Sequence, residues 1–181
     1  MKMSRPRYII GIDPDVDRTG VALVDREGRR LEYAGALTFA DCVKYLDGIA
    51  AMYPSEDVEV VIEDSDTSTN WHCGSILFDK RLAMDQKMRK AAAIGRSAGL
   101  CHATARHLRE YAESCGLRVV MQRPLKKCWK GKDGKITQVE AAQFMPGLPK
   151  RCNQEVRDAA LLVWCAAELP IILKVKESVN Y

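Results

Sequence analysis

The chain has 181 residues, 47% of them hydrophobic, enough apolar material for one well-buried core and so for a single domain over 1–181. No run approaches the roughly 20 consecutive apolar residues of a membrane span, and the basic start from Met1 to Arg7 lacks the apolar stretch of a secretion signal, so no membrane association and a cytoplasmic location are expected. The net charge of +4 is unevenly spread: Lys80 to Arg109 holds eight basic residues against Asp85, and Arg118 to Lys135 holds seven against Asp133, leaving the remainder net acidic.

Tyr8 to Ile12 is a β-branched run ending at Asp13-Pro14, and because proline cannot extend a central ladder, Asp13 falls at a strand end. Gly20 to Val24 reads as a second strand, Glu27-Gly28 as a turn, and Leu31 to Gly35 as a third strand, which makes an antiparallel meander. Phe39 to Met52 has helical apolar spacing and is stopped by Pro54. Val58 to Ile62 is nearly continuous apolar sequence, the pattern of a parallel strand covered on both faces, and it runs into Glu63-Asp64. Ser65 to Gly74 is polar and reads as a loop in which Trp71 is the large apolar side chain.

From Asp85 as N-cap, a long helix is predicted to about Cys115, with Gly116 as its stop. Ala91, Ile94, Ala98, Cys101, Ala105, Leu108, Ala112 and Cys115 recur at intervals of three and four along it. With Gly95 and Gly99, this stripe of small residues suits close packing on the chain's own sheet or a share in a dimer interface. Leu117 to Met121 follows as a fifth strand, and Gln122 to Lys135 as a basic loop. Thr137 then caps a short helix through about Phe144, with Glu140 completing a capping box, and a last helix spans roughly Gln154 to Leu169 before Pro170. The order implies an α/β chain with a mixed five-stranded sheet, an antiparallel meander plus parallel strands, flanked by helices.

Seven cysteines (Cys42, Cys73, Cys101, Cys115, Cys128, Cys152 and Cys165) are scattered and form no C-x-x-C pair, so reduced packed thiols are expected. His72 beside Cys73 would need zinc partners from far along the chain.

Three features converge on one chemistry. Asp13 ends the first strand, Glu63 ends the parallel fourth, and Glu155 and Asp158 lie three apart on one face of the last helix. Sites on open sheets lie beyond the carboxyl ends of parallel strands. Clustered carboxylates in a partly buried place need cations, and their oxygens favour Mg2+, with Mn2+ as an alternative, over zinc. Two such ions, about 4 Å apart, are the usual means of hydrolysing a phosphodiester in line. Taken singly, each acid is also an ordinary strand-end or helix-start residue. Asp15, Asp17, Asp64 and Asp66 rank lower because their positions suit turns.

Gly11-Ile12-Asp13-Pro14 followed by Thr19-Gly20-Val21-Ala22, then Val60-Val61-Ile62-Glu63, then Arg157-Asp158-Ala159-Ala160-Leu161, resembles in order the acid-bearing segments of RuvC-like Holliday-junction resolvases. That resemblance spans almost the whole chain. It implies a ribonuclease H-like fold, a homodimer, and magnesium-dependent paired nicking of a four-way DNA junction, with Asp13, Glu63, Glu155 and Asp158 as catalytic metal ligands. The family commonly carries Asp or His where this chain has Glu155, a longer carboxylate that still reaches a metal. By the same resemblance the basic loop lies beside the scissile phosphates, with Lys126, Lys127, Lys130, Lys132 and Lys135 as phosphate contacts and Trp71 as a surface on which an unpaired base stacks.

Two other readings fit the same pattern: a non-catalytic ribonuclease H-like module that binds nucleic acid, and a YqgF-like nuclease acting on RNA. A sugar-kinase relationship is disfavoured, because neither a second lobe nor an Asp-Gly-Gly phosphate loop is visible.

Overall fold

Neighbouring residues of the central strands face two different cores, which is why these strands read as continuous apolar runs instead of alternating ones. Ile9, Ala22, Val24 and Val61 pack into one core, whereas Ile10, Ile12, Val21, Leu23, Val60 and Ile62 pack into the other. The computed structural model describes residues 5–64, 76 and 78–173. Its strands are β1 (Tyr8–Asp13), β2 (Thr19–Asp25), β3 (Arg30–Leu37), β4 (Val58–Glu63) and β5 (Arg118–Gln122). They form one sheet in the order β3-β2-β1-β4-β5. The β1–β2 and β2–β3 pairs are antiparallel and the β1–β4 and β4–β5 pairs parallel, as the sequence pattern implied.

Among the described residues, α1 (Phe39–Met52), α2 (Met84–Ser114), α3 (Gln138–Phe144) and α4 (Gln154–Ala166) cover this sheet. One face packs on α1 through Cys42, Leu46 and Ile49, and on the C-terminal half of α2 through Ala105, Leu108 and Ala112. The other face is covered by α4, whose Val156 and Ala159 to Trp164 are all buried, with α3 at its flank. Among the described residues no helix is long and apolar enough to cross a membrane, and the described cysteines are free thiols.

Two helix boundaries differ from expectation. α2 begins at Met84 with Ala83 as its N-cap, and the Gln86 side chain reaches back to accept from the Ala83 N–H at 3.3 Å, so Asp85 lies inside the first turn. There its charge faces the positive end of the helix dipole instead of capping it. α4 ends at Ala166, ahead of the expected Leu169, because Glu168 turns left-handed at φ 55° and the Leu169 N–H returns to the Trp164 carbonyl at 3.2 Å. A closure of this kind satisfies the last carbonyls before Pro170 is reached.

The small-residue stripe of α2 divides in two. Its C-terminal half lies on the sheet, while Met84 and Met88 are 68% and 66% exposed and nothing stands within 4 Å of a side chain built at Gly95 or Gly99.

What positions α4 is glycine on the strands beneath it. A Cβ at Gly11 would stand 2.7 Å from the Ala159 carbonyl oxygen, and one at Gly20 only 2.1 Å from that of Glu155. Gly20→Ala should therefore force α4 off the sheet and cost on the order of 1–3 kcal/mol. Gly95→Ala, in open space on a helix, should be stabilising by about 0.5–1 kcal/mol. Denaturant melts of the two variants check this contrast, and a harmless Gly20→Ala refutes the close-contact account.

Candidate functional site

Strand register places the first two acids side by side. Ile12 pairs with Ile62 between the parallel strands β1 and β4, so Asp13 and Glu63 stand one step further on, at adjacent carboxyl ends. By alternation, Asp13 shares the face of Ile9 and Gly11, and Glu63 that of Val61; both project toward the side covered by α4. The close docking of α4 on Gly11 and Gly20 brings Glu155 and Asp158 to the same end of the sheet. Asn153 is the helix N-cap, its Oδ1 accepting from the Val156 N–H at 3.1 Å.

Asp13 and Glu63 sense the acids around them. Burial first, and then repulsion from Glu63 and Asp158, with a smaller contribution from Glu155, push the Asp13 carboxyl up to about 8. Glu63 is raised as well, by burial and then by Asp158, with Lys135 and Lys127 pulling the other way. Asp25, which ends β2, shows that a strand-end acid need not behave so. Arg7 holds its carboxylate below the usual range with a two-pronged contact, Nη2 to Oδ2 at 2.9 Å and Nε to Oδ1 at 3.2 Å. It is a structural acid, neutralised in place.

At the candidate site the neutralising charge is Lys135. Its Nζ donates to Asp158 Oδ2 at 2.7 Å, while Gln154 Nε2 donates to Oδ1 at 2.7 Å. Burial works against the ammonium, but the hydrogen bond to Asp158 and the charges of Asp158, Asp13 and Glu155 outweigh it and raise its pKa. Among the described residues no three Asp, Glu, His or Cys side chains converge closely enough to hold an ion as they stand. Repulsion acts over many ångströms, whereas a magnesium ligand must come to about 2 Å, so coupling without convergence is consistent. The donor chemistry fits a hard divalent cation: an all-oxygen set, partly buried, with more negative charge than Lys135 neutralises.

The basic loop is less free than its composition suggests. Leu125 and Trp129 pack against the core beneath α4, with Trp129 stacked on Phe144 at 5.8 Å, and Ile136 is buried. Lysines fall between these apolar anchors. Lys126, Lys127, Lys130 and Lys132 are exposed and Lys135 is half-buried against the acids. Of the lower-ranked acids, Asp15 makes the expected turn, accepting from the Asp17 N–H at 3.1 Å. Trp71, Asp66 and the His72-Cys73 pair lie outside the described residues.

One aromatic was missed in the sequence. Phe78 is 84% exposed and lines an open hollow with Ile76, Lys80, Arg81 and Lys90 at the start of α2. The signal was present: an aromatic two residues before the basic pair Lys80-Arg81, with Asp79 between them and ion-paired to Arg81.

No protein-family model and no curated protein matches the chain. Among solved structures it is similar to Thermus thermophilus RuvC in complex with a Holliday junction substrate, at 10% identity and a TM-score of 0.53, covering 86% of this chain and 89% of that one. A second Thermus thermophilus RuvC structure matches at 12% identity and a TM-score of 0.50, covering 86% and 90%. The chain therefore has a RuvC-like, ribonuclease H-like fold.

The Asp13 shift yields a stability test on protein kept in chelator. Its folded pKa of about 8 lies above the ordinary 3.8, so ionising Asp13 is opposed in the folded state, and stability falls as pH rises from that ordinary value through 8. Asp13→Asn removes the loss. It should raise the melting temperature by a few degrees at high pH and by much less in weak acid. An equal fall at both pH values would refute the account of burial and repulsion.

Proposed function

We propose that this chain is a magnesium-dependent, structure-selective endonuclease that resolves four-way DNA junctions by paired nicks. The observation that carries the reading is the coupled carboxylate set of Asp13, Glu63, Glu155 and Asp158, drawn from three elements to one end of the sheet beside an anchored basic loop. The RuvC-like fold supports it, since one similar structure is that of a protein bound to a Holliday junction substrate.

In this reading Asp13, Glu63, Glu155 and Asp158 hold Mg2+, with Mn2+ as a substitute. The cation supplies a lower pKa for the attacking water and charge to offset the leaving 3′ oxygen. The protein's own groups do the rest. Gln154 orients Asp158 from one side. Lys135, which donates to Asp158, would be the ammonium placed to meet the phosphate, where positive charge stabilises the crowded transition state. Lys126, Lys127, Lys130 and Lys132 bind backbone phosphates and set register without reading sequence. Phe78, beside Lys80, Arg81 and Lys90, has the exposure needed to stack on an unpaired base, the role the sequence suggested for Trp71.

A four-way junction presents two equivalent strands, which a two-fold dimer would cut with one site each. The face of α2 that carries the exposed Met84 and Met88 with the half-buried Ala91 and Gly95 is the surface proposed to meet the second copy. A second reading draws on the Lys135–Asp158 pair: a lysine that permanently neutralises the acids would leave a binding module without catalysis. Cleavage with and without magnesium separates the two.

Asp13→Asn, Glu63→Gln and Asp158→Asn should each abolish magnesium-dependent cutting of a synthetic four-way junction while binding persists, with Glu155→Gln at least partly impaired. Equal cutting of linear duplex by the wild type would remove the junction claim. Single alanine substitutions of Lys126, Lys127, Lys130 and Lys132 should each flatten the dependence of log affinity on log salt by about 0.9 per lost phosphate contact. Lys135→Ala should chiefly slow turnover on saturating DNA. In sedimentation at micromolar concentration the protein should run as a dimer and Met88→Asp should shift it toward monomer; a wild type that is monomeric there counts against the interface.

A further inference from the structure

We infer that Glu140 is a positioning residue: its buried carboxylate ties down both ends of the loop at 130–137 and so sets where the Lys135 ammonium stands in the carboxylate cluster. The consequence for catalysis rests on the nuclease reading above; the hold on Lys135 does not.

A capping box asks one thing of this side chain, an acceptor for the N-cap N–H, which glutamine supplies as well as glutamate. Glu140 does more. Its Oε2 accepts from the Thr137 N–H at 3.0 Å and the Thr137 hydroxyl at 2.7 Å, and the Lys130 N–H, ten residues back, is shared between Oε1 at 3.2 Å and Oε2 at 3.3 Å. The residue is 6% exposed, one of three buried polar or charged residues among those described. Between its two attachments the chain is closed on itself. The Gly131 N–H donates to the Lys135 carbonyl at 2.9 Å, the Lys135 N–H to the Lys132 carbonyl at 3.1 Å, and the Trp129 N–H to the Gly134 carbonyl at 3.0 Å. Ile136 is buried and its carbonyl accepts from Gln154 Nε2 and Arg157 Nε, so the residue after Lys135 is pinned to α4. Lys135 thus leaves a fixed backbone and reaches Asp158, while Lys130 and Lys132 of the same loop point to solvent.

Three donors converge on one carboxylate at the base of this loop. Glutamine in its place offers a single acceptor atom and turns an NH2 toward donors, which leaves a partner unsatisfied. A plain helix cap therefore predicts that Glu140→Gln is silent, and a loop anchor predicts that it releases Lys135.

Two measurements test this on the full-length protein. At fixed pH, acetylation of individual lysines by an N-hydroxysuccinimide ester, read by mass spectrometry, should be slow at Lys135 in the wild type and several-fold faster in Glu140→Gln, with distant Lys44 unchanged. In single-turnover cleavage of a synthetic four-way junction at saturating DNA with magnesium, Glu140→Gln should cut about tenfold more slowly, as expected for a misplaced group, over and above any weakening of binding from the loosened loop. Lys135→Ala combined with Glu140→Gln should be no slower than Lys135→Ala alone, because both act through one ammonium. Equal labelling of Lys135 in wild type and a folded Glu140→Gln overturns the inference whatever the cleavage result, as do losses that multiply in the double variant. Should Glu140→Gln fail to fold, Glu140→Asp, which keeps both acceptors on a shorter stem, carries the same comparisons. A wild type that cuts no DNA removes the nuclease reading, and the labelling result then decides the role of Glu140 by itself.

Discussion

The backbone of α4 lies almost in contact with β1 and β2, at a distance that Gly11 and Gly20 alone among the residue types permit. The meeting of the four acids depends on that approach. Asp13 and Glu63 are fixed by strand register, but Glu155 and Asp158 come from a different layer, and a helix held farther off the sheet would leave them short of the strand ends. Ala159 continues the same logic from the helix side, a small residue over both glycines, while Trp164 anchors the far end deep in the core. Tight packing is thus spent at the site's end of the helix and bulk at the other.

A second constraint fixes the basic loop. Lysine-rich sequence between a strand and a helix suggests a solvated excursion, yet Leu125, Trp129 and Ile136 plug into the core at intervals and Glu140 closes the base. Each exposed lysine therefore projects from chain whose conformation is largely settled before any polyanion arrives. Ordering a flexible loop on binding costs about 1–2 kcal/mol per residue, so advance anchoring leaves more of the electrostatic attraction available for affinity.

Much of this was legible in the sequence, for identifiable reasons. The strand pattern and the meander followed from continuous β-branched runs punctuated by Asp13-Pro14 and Glu27-Gly28, and the element order carried the acids to the right ends of the strands. Lys135 was named among five similar lysines; nothing in local sequence separated it from Lys132, because its distinction is a contact with Asp158, 23 residues away. The capping box of Thr137 and Glu140 was visible for the same reason that its further contact with Lys130 was not: the first spans three residues and the second ten, across a loop. The α2 stripe showed a regular pattern without saying where its covering partner changes, since the sheet beneath is shorter than a helix of 31 residues, roughly 46 Å long.

Charge balance links these elements. At the far end of the sheet Arg7 meets Asp25 and also Glu27, and the Asp25 carboxyl pKa is lowered. Asp13 and the three acids around it have Lys135, in contact with Asp158, and Lys127 at longer range, and burial prevents water from screening what remains. A protein that needed those acids only for folding would do better with fewer of them, because each added carboxylate raises the cost of ionising Asp13. The excess makes sense where positive charge is brought from outside, as cations held by the carboxylates. In the proposed function that charge would be the metal's, and Lys135, held to Asp158 on a loop closed at Glu140, would be the cation the protein itself supplies beside the four acids.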